Sequence, residues 1–304
     1  MSPSTWRHQT SDAVALGPFG EEEDAARGVM GRRDRLIIFG DAPLASNRRA
    51  NDGGDVAVLP HEGTYSVMYG PLAVSVGAGY RRGYLARPDQ AGRYPTVVLT
   101  PDLDGLGAHE KAVARRLARH GLAVLVVDLY VDAPADRDQA LTAYNSLTDS
   151  EALRTIDEAY DYLRSEDIDW AQTDRVGVIG LDVGGRFSLL SAAHRKWVGA
   201  AAAVSTPLTG DEDRQFQVAD ILRHVAVPVL GLYGADDDLV DVETVDEAQT
   251  RNSTGQWLLY EGAGHAFLDE VGEDYHEASA EDAIARLVGF FTTHLPVKTE
   301  VELG

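Results

Sequence analysis

Residues 176–186 read Val-Gly-Val-Ile-Gly-Leu-Asp-Val-Gly-Gly-Arg, a short apolar run that ends in a turn bracketed by glycines. Such a run is the pattern of a strand covered on both faces. Gly180, Gly184 and Gly185 remove bulk on either side of Asp182. A strand needs that freedom if it is to turn sharply into a helix with one side chain standing at the tip. Asp182 would then lie beside the free N–H groups of a helix start, which favour negative charge. Residues 180–185 also approach the G-x-G-x-x-G nucleotide fingerprint, but Asp182 replaces the middle glycine. That glycine lets a pyrophosphate near the backbone, and a carboxylate there blocks and repels it.

Further apolar runs at 96–100, 123–127, 199–204, 229–233 and 257–260 have the same texture. Between them, apolar residues recur at three- or four-residue spacing: Val113 and Leu117; Leu153, Ile156, Tyr160 and Leu163; Ile284, Leu287, Val288 and Phe291. Each set forms one stripe of a helix turned toward a sheet. Alternating strands and helices predict an α/β protein with a doubly wound, mostly parallel sheet. In such a sheet, function gathers in the loops beyond the carboxyl ends of the strands. The sequence divides into an N-terminal arm with leading β segments (1–64), one α/β domain (65–297) and a C-terminal tail (298–304). The first 33 residues are polar and aperiodic. Short β-like runs follow at 36–39, 56–59, 65–69 and 72–76, and read as leading antiparallel strands or a lid-like addition. The segment 131–148 shows no derivable path.

With 304 residues, the chain is long enough for one large core. Its net charge of -22 argues against nucleic acid and anionic membranes as partners, because both would repel it. Zero cysteines exclude disulfides, thiolate nucleophiles and thiolate metal sites. No signal-peptide core and no membrane-length apolar stretch occur, so a cytoplasmic protein is expected. Oligomeric state is not derivable.

Two more segments follow strand-like runs. Residues 234–240 read Gly-Ala-Asp-Asp-Asp-Leu-Val, and 262–267 read Gly-Ala-Gly-His-Ala-Phe. The order Asp182, Asp237, His265 is the chain order of nucleophile, acid and histidine in an α/β-hydrolase triad. Asp237 is preferred over Asp236 and Asp238 because its spacing sets it at the turn. Residues 83–88, 97–106, 114–118 and 126–130, with the Asp182 turn, Asp237 and residues 264–267, resemble the dienelactone hydrolase family over about 80–295. The resemblance implies the α/β-hydrolase fold with a nucleophile elbow, and an oxyanion hole from the backbone N–H groups of Leu103 and Val183. It also implies Cys or Ser at the elbow and Glu after the family's third strand. This chain carries Asp182 and Asp102 there.

A carboxylate that attacks an acyl carbon forms a reactive anhydride, whereas attack on an sp3 carbon forms an ester that activated water can cleave. The expected function is therefore cofactor-independent hydrolysis of an epoxide, lactone or related bond in a small molecule by Asp182, His265 and Asp237. A second reading uses Asp102 and Asp182 as a carboxyl pair sharing a proton, in a cyclase, dehydratase or lyase. A third is a silent binding scaffold. Asp104, Tyr130 and Arg186 are candidate substrate contacts, with Arg186 also expected to pair with Asp102 or Asp104. No metal site is expected, and His109 and His120 read as surface residues of a helix.

Overall fold

The apolar runs become strands. The computed structural model describes residues 45–46, 63–210 and 214–297. Among these, one sheet contains β1 (Ala45–Ser46), β2 (Val67–Val76), β3 (Gly79–Pro88), β4 (Tyr94–Thr100), β5 (Ala123–Val127), β6 (Ala171–Leu181), β7 (Val198–Val204), β8 (Val229–Gly234) and β9 (Gln256–Tyr260). The spatial order is β1-β2-β3-β5-β4-β6-β7-β8-β9. β1, β2 and β3 pair antiparallel, and β3 joins β5 antiparallel. From β5 to β9 every pairing is parallel. Strand order reverses at β4, which lies between β5 and β6, and sheets of this kind bind their ligands outside the carboxyl ends of the strands at such a reversal.

Seven helices connect the strands of the described residues: α1 (Ala108–Arg119), α2 (Arg137–Ser146), α3 (Asp149–Leu163), α4 (Gly184–His194), α5 (Val218–Ile221), α6 (Val242–Arg251) and α7 (Glu277–His294). Neighbouring residues of one strand enter opposite layers, as strand geometry demands. Val98 and Val178 pack with Ile156, Leu163 and Phe187 of α3 and α4. Val97, Leu99 and Ile179 pack with Val113, Leu117, Ile284, Leu287 and Phe291 of α1 and α7. Each such fully buried aliphatic side chain stabilises the fold by roughly 1.5–3 kcal/mol. The stripes expected at α1, α3 and α7 thus face the sheet.

The structure departs from the sequence reading in its smaller elements. The runs 65–69 and 72–76 are one strand, β2, that continues through exposed Pro71. Pro71 pairs with Tyr84 on one side, while the other side of β2 meets only the two residues of β1 among the described residues. The missing N–H therefore costs no central ladder bond. Within 131–148 lies α2, whose N-cap Asp136 accepts the Gln139 N–H at 2.9 Å. α6 also escaped detection, since α2 buries only Ala140 and Tyr144, and α6 only Val245 and Ala248, too few for a visible period. The arm ahead of residue 63, with its runs at 36–39 and 56–59, lies outside the described residues apart from Ala45–Ser46, as does the tail 298–304. Among the described residues, no helix is long and apolar enough to cross a membrane.

Candidate active site

At the end of β6 the chain reverses into α4 through Asp182, whose φ of 46° is left-handed. A non-glycine residue there is strained by roughly 1–3 kcal/mol and persists only where its surroundings enforce it. They do so by close approach. A methyl group on Gly184 would collide with the carbonyl oxygens of Pro101 and Thr100, and one on Gly180 would collide with the backbone of Gly184 and Gly185. Thr100 Oγ1 lies 2.9 Å from Gly184 O and 3.1 Å from Ile179 O, tying the end of β4 to the turn. Asp182 N donates to Val204 O at 2.9 Å, tying the turn to β7 as well.

Two loops bring partners to Asp182. His265, in the loop after β9, sets Nε2 3.3 Å from Asp182 Oδ1 and Nδ1 2.8 Å from Asp237 Oδ2. Asp237, in the loop after β8, has a fully buried side chain, and its other oxygen accepts the N–H groups of Leu239 at 2.8 Å and Val240 at 3.0 Å. Its neighbours Asp236 and Asp238 are exposed. Burial alone would lower the basicity of His265. Hydrogen bonds to Asp182 and Asp237, with the charges of both, outweigh it and hold the imidazole up to about 10.

Asp102 follows β4 and is mostly buried. Burial first, then the charge of Glu110, pushes its carboxyl up to about 8; the Asp104 N–H at 2.9 Å opposes this, and the charges of Asp182 and Asp104 add to it. Glu110 was not singled out from the sequence. It is buried in the first turn of α1, with Oε2 accepting the Gly107 N–H at 2.8 Å and Oε1 lacking a partner. Its signal was local: a glutamate three residues past a helix start closes a cap. Leu103 is buried just after Asp102, and Val183 is the N-cap of α4, so the proposed pair of backbone donors stands at the ends of adjacent strands β4 and β6.

The other candidates fall in different places. Tyr130 is buried, and its hydroxyl is pushed above the usual tyrosine range by burial, then by Asp128, Tyr144, Asp102 and Asp182, so it lies within electrostatic reach of the last two. Asp104 is exposed. Arg186 is corrected: it pairs with neither Asp102 nor Asp104. Its guanidinium grips Asp149 at 2.9 and 2.7 Å and donates to Phe216 O at 2.7 Å, because the first turn of α4 points it at α3. His109 is also corrected, being half-buried with Nδ1 3.7 Å from Asp269. Asp128 was missed as a support: buried, it pairs with Arg82 and accepts the Tyr130 N–H at 3.1 Å. A cavity of about 410 Å³ lined by Leu190, Phe216 and Ile221 lies toward the far end of α4 from Asp182. Among the described residues, no group of three or more acidic or histidine side chains is arranged to hold a metal ion.

A mostly parallel sheet, a strained strand-to-helix turn and a histidine loop after the last strand define an enzyme of the α/β-hydrolase class. Residues 81–295 match the Dienelactone hydrolase family, and the chain belongs to that family. A protein of Escherichia coli (strain K12) assigned as a carboxymethylenebutenolidase is 33% identical over 221 residues, covering 68% of this chain and 80% of its own length. A Bradyrhizobium protein assigned as 2-oxo-3-(5-oxofuran-2-ylidene)propanoate lactonase is 28% identical over 232 residues, covering 73% of this chain and 92% of its own. Among solved structures, one from Klebsiella pneumoniae assigned as a dienelactone hydrolase superposes with a TM-score of 0.69 at 27% identity, over 74% of this chain and 98% of that one.

Proposed function

We propose that this enzyme hydrolyses a carbon–oxygen bond of a small, uncharged epoxide or lactone, with Asp182 attacking an sp3 carbon. One observation carries the reading: a carboxylate occupies the strained turn with His265 Nε2 at 3.3 Å, and Asp237 bonds the other ring nitrogen, Nδ1, at 2.8 Å. Asp182 bonds to carbon as the ring C–O bond breaks, and the neutral Asp102 carboxyl gives its proton to the departing oxygen. Esterification removes the negative charge on Asp182 that helps hold the His265 proton, so His265 releases its proton, which restores Asp102. The neutral imidazole then takes a proton from water attacking the ester carbonyl, with the Leu103 and Val183 N–H groups facing the oxyanion. Collapse expels the alkoxide, which takes the proton of the hydroxyl that water delivered, and returns Asp182 as a carboxylate, His265 protonated, and the alcohol.

A neutral substrate is favoured because the charges acting on Asp102 come from Glu110, Asp182 and Asp104, all acidic. A carboxymethylenebutenolide, as the name of the Escherichia coli relative describes, carries a carboxylate and would be repelled here. The test is single turnover of neutral epoxides and lactones in heavy-oxygen water. The label should enter Asp182, and Asp182→Asn should lower turnover by about a thousandfold or more. Activity that survives the substitution, or a label that never enters Asp182, overturns covalent attack. A second reading is favoured by the neutral carboxyl of Asp102 beside Asp182: acid–base isomerisation, cyclisation or dehydration, in which the product gains no water and Asp182 takes up no label.

A further inference from the structure

Among the described residues, two that are not glycine hold left-handed φ angles: Asp182 at 46° and Ser205 at 49°. They occupy equivalent places, each the first residue past one of two adjacent parallel strands, β6 and β7. Each is clamped to the next strand along, Asp182 N to Val204 O and Ser205 N to Leu232 O, both at 2.9 Å. The strain at Asp182 is accounted for by the turn into α4. Ser205 is neither in a hairpin nor at a helix cap; the residue after it, Thr206, is buried against Gly185 of the Asp182 turn.

The side chain supplies the reason. Ser205 is buried, and its hydroxyl donates to the backbone carbonyl of His265 at 2.6 Å, sixty residues further along the chain. Both strained residues thus converge on one histidine, Asp182 through the imidazole and Ser205 through the backbone. The rest of the loop is held from other sides: Asp236 N donates to Ala263 O at 3.0 Å, and His276 N to Phe267 O at 3.1 Å. We propose that Ser205 is a positioning residue for His265, its strained backbone aiming a hydroxyl that anchors the histidine's carbonyl and so sets the ring between Asp182 and Asp237. Strain of this kind persists where it serves a site.

The inference rests on His265 being the proton-handling group of the proposed reaction, but its first test needs no substrate. The charged groups on the imidazole are Asp182, from the turn after β6, and Asp237, from the loop after β8. Ser205→Gly removes the hydroxyl and relieves the positive φ; Ser205→Ala removes the hydroxyl and keeps the strain. The His265 ring is followed by imidazole NMR against pH, with its signal assigned by its loss in His265→Gln. In both variants its titration midpoint should fall by about one unit or more toward the ordinary histidine range, as the ring loses its fit between the two carboxylates. Ser205→Gly should melt no lower than the parent. With an active substrate in hand, it should lower kcat by roughly a hundredfold with KM little changed. A midpoint that stays at the parent value in Ser205→Gly overturns the proposal. So does a glycine variant that melts far lower or fails to fold, since the hydroxyl would then be a structural tie only.

Discussion

Asp237 and Asp102 are both mostly buried carboxyls in loops that follow parallel strands, β8 and β4, yet their surroundings are opposite. Asp237 receives three N–H groups, from His265, Leu239 and Val240, and one of its partners is a cation. Asp102 receives one, from Asp104, and faces the negative charges of Glu110 and Asp182. Burial by itself therefore does not decide the role of a carboxyl here; the count of donors and the sign of the neighbours do. One loop makes an acceptor that orients a histidine, and the other makes an acid that keeps its proton near neutrality.

Breaking the better-supplied side has the larger expected effect. Asp237→Asn leaves the shape but removes the charged acceptor that orients His265 Nδ1–H, and kcat should fall by about a thousandfold or more. Asp102→Asn should cost less, about a hundredfold in kcat, and should abolish the loss of activity that the parent shows as pH rises through about 8.

The sign of the stability effect follows from the same shift. The carboxyl of Asp102 is raised from its ordinary 3.8, so its contribution is complete below that value and is lost as pH rises through about 8. His265, raised from 6.5, contributes fully below 6.5 and loses its contribution as pH rises through about 10. Urea unfolding should thus show the parent weakening between pH 3.8 and 6.5, below the range in which His265 adds its own slope, and Asp102→Asn much flatter there. A variant with the same slope as the parent would remove Asp102 from the account.

The smallest effect on turnover is expected at Arg186, where charge serves packing. Arg186→Met should leave kcat within about twofold while costing about 2–3 kcal/mol in urea unfolding, less than a fully buried pair because Asp149 is partly exposed. A large loss of turnover without loss of stability would return Arg186 to the substrate.

The legible parts of this chain were those written in short spacing. Glycines around Asp182 announced the turn because their need is steric and local, and Gly-His after the run 257–260 announced a loop at the end of a strand. Asp237 could be chosen from three consecutive aspartates by its distance from Gly234 and Val240. Illegible were α2 and α6, whose buried faces are only two residues wide, and the support given by Asp128, Glu110 and Ser205, whose partners lie elsewhere in space.

By itself, then, the sequence determined the alternation of strands and helices, the sharp turn at Asp182 and the order of the three side chains that meet there, because periodicity and glycine placement act over a few residues. Tertiary structure alone decided that Arg186 grips Asp149 across 37 residues, that Ser205 reaches His265 across 60, and that Asp102 and Asp237 differ in their donors. Those outcomes depend on which loops the twisted sheet brings to one edge, and side-chain hydrogen bonds and charge coupling exist only once that edge has formed.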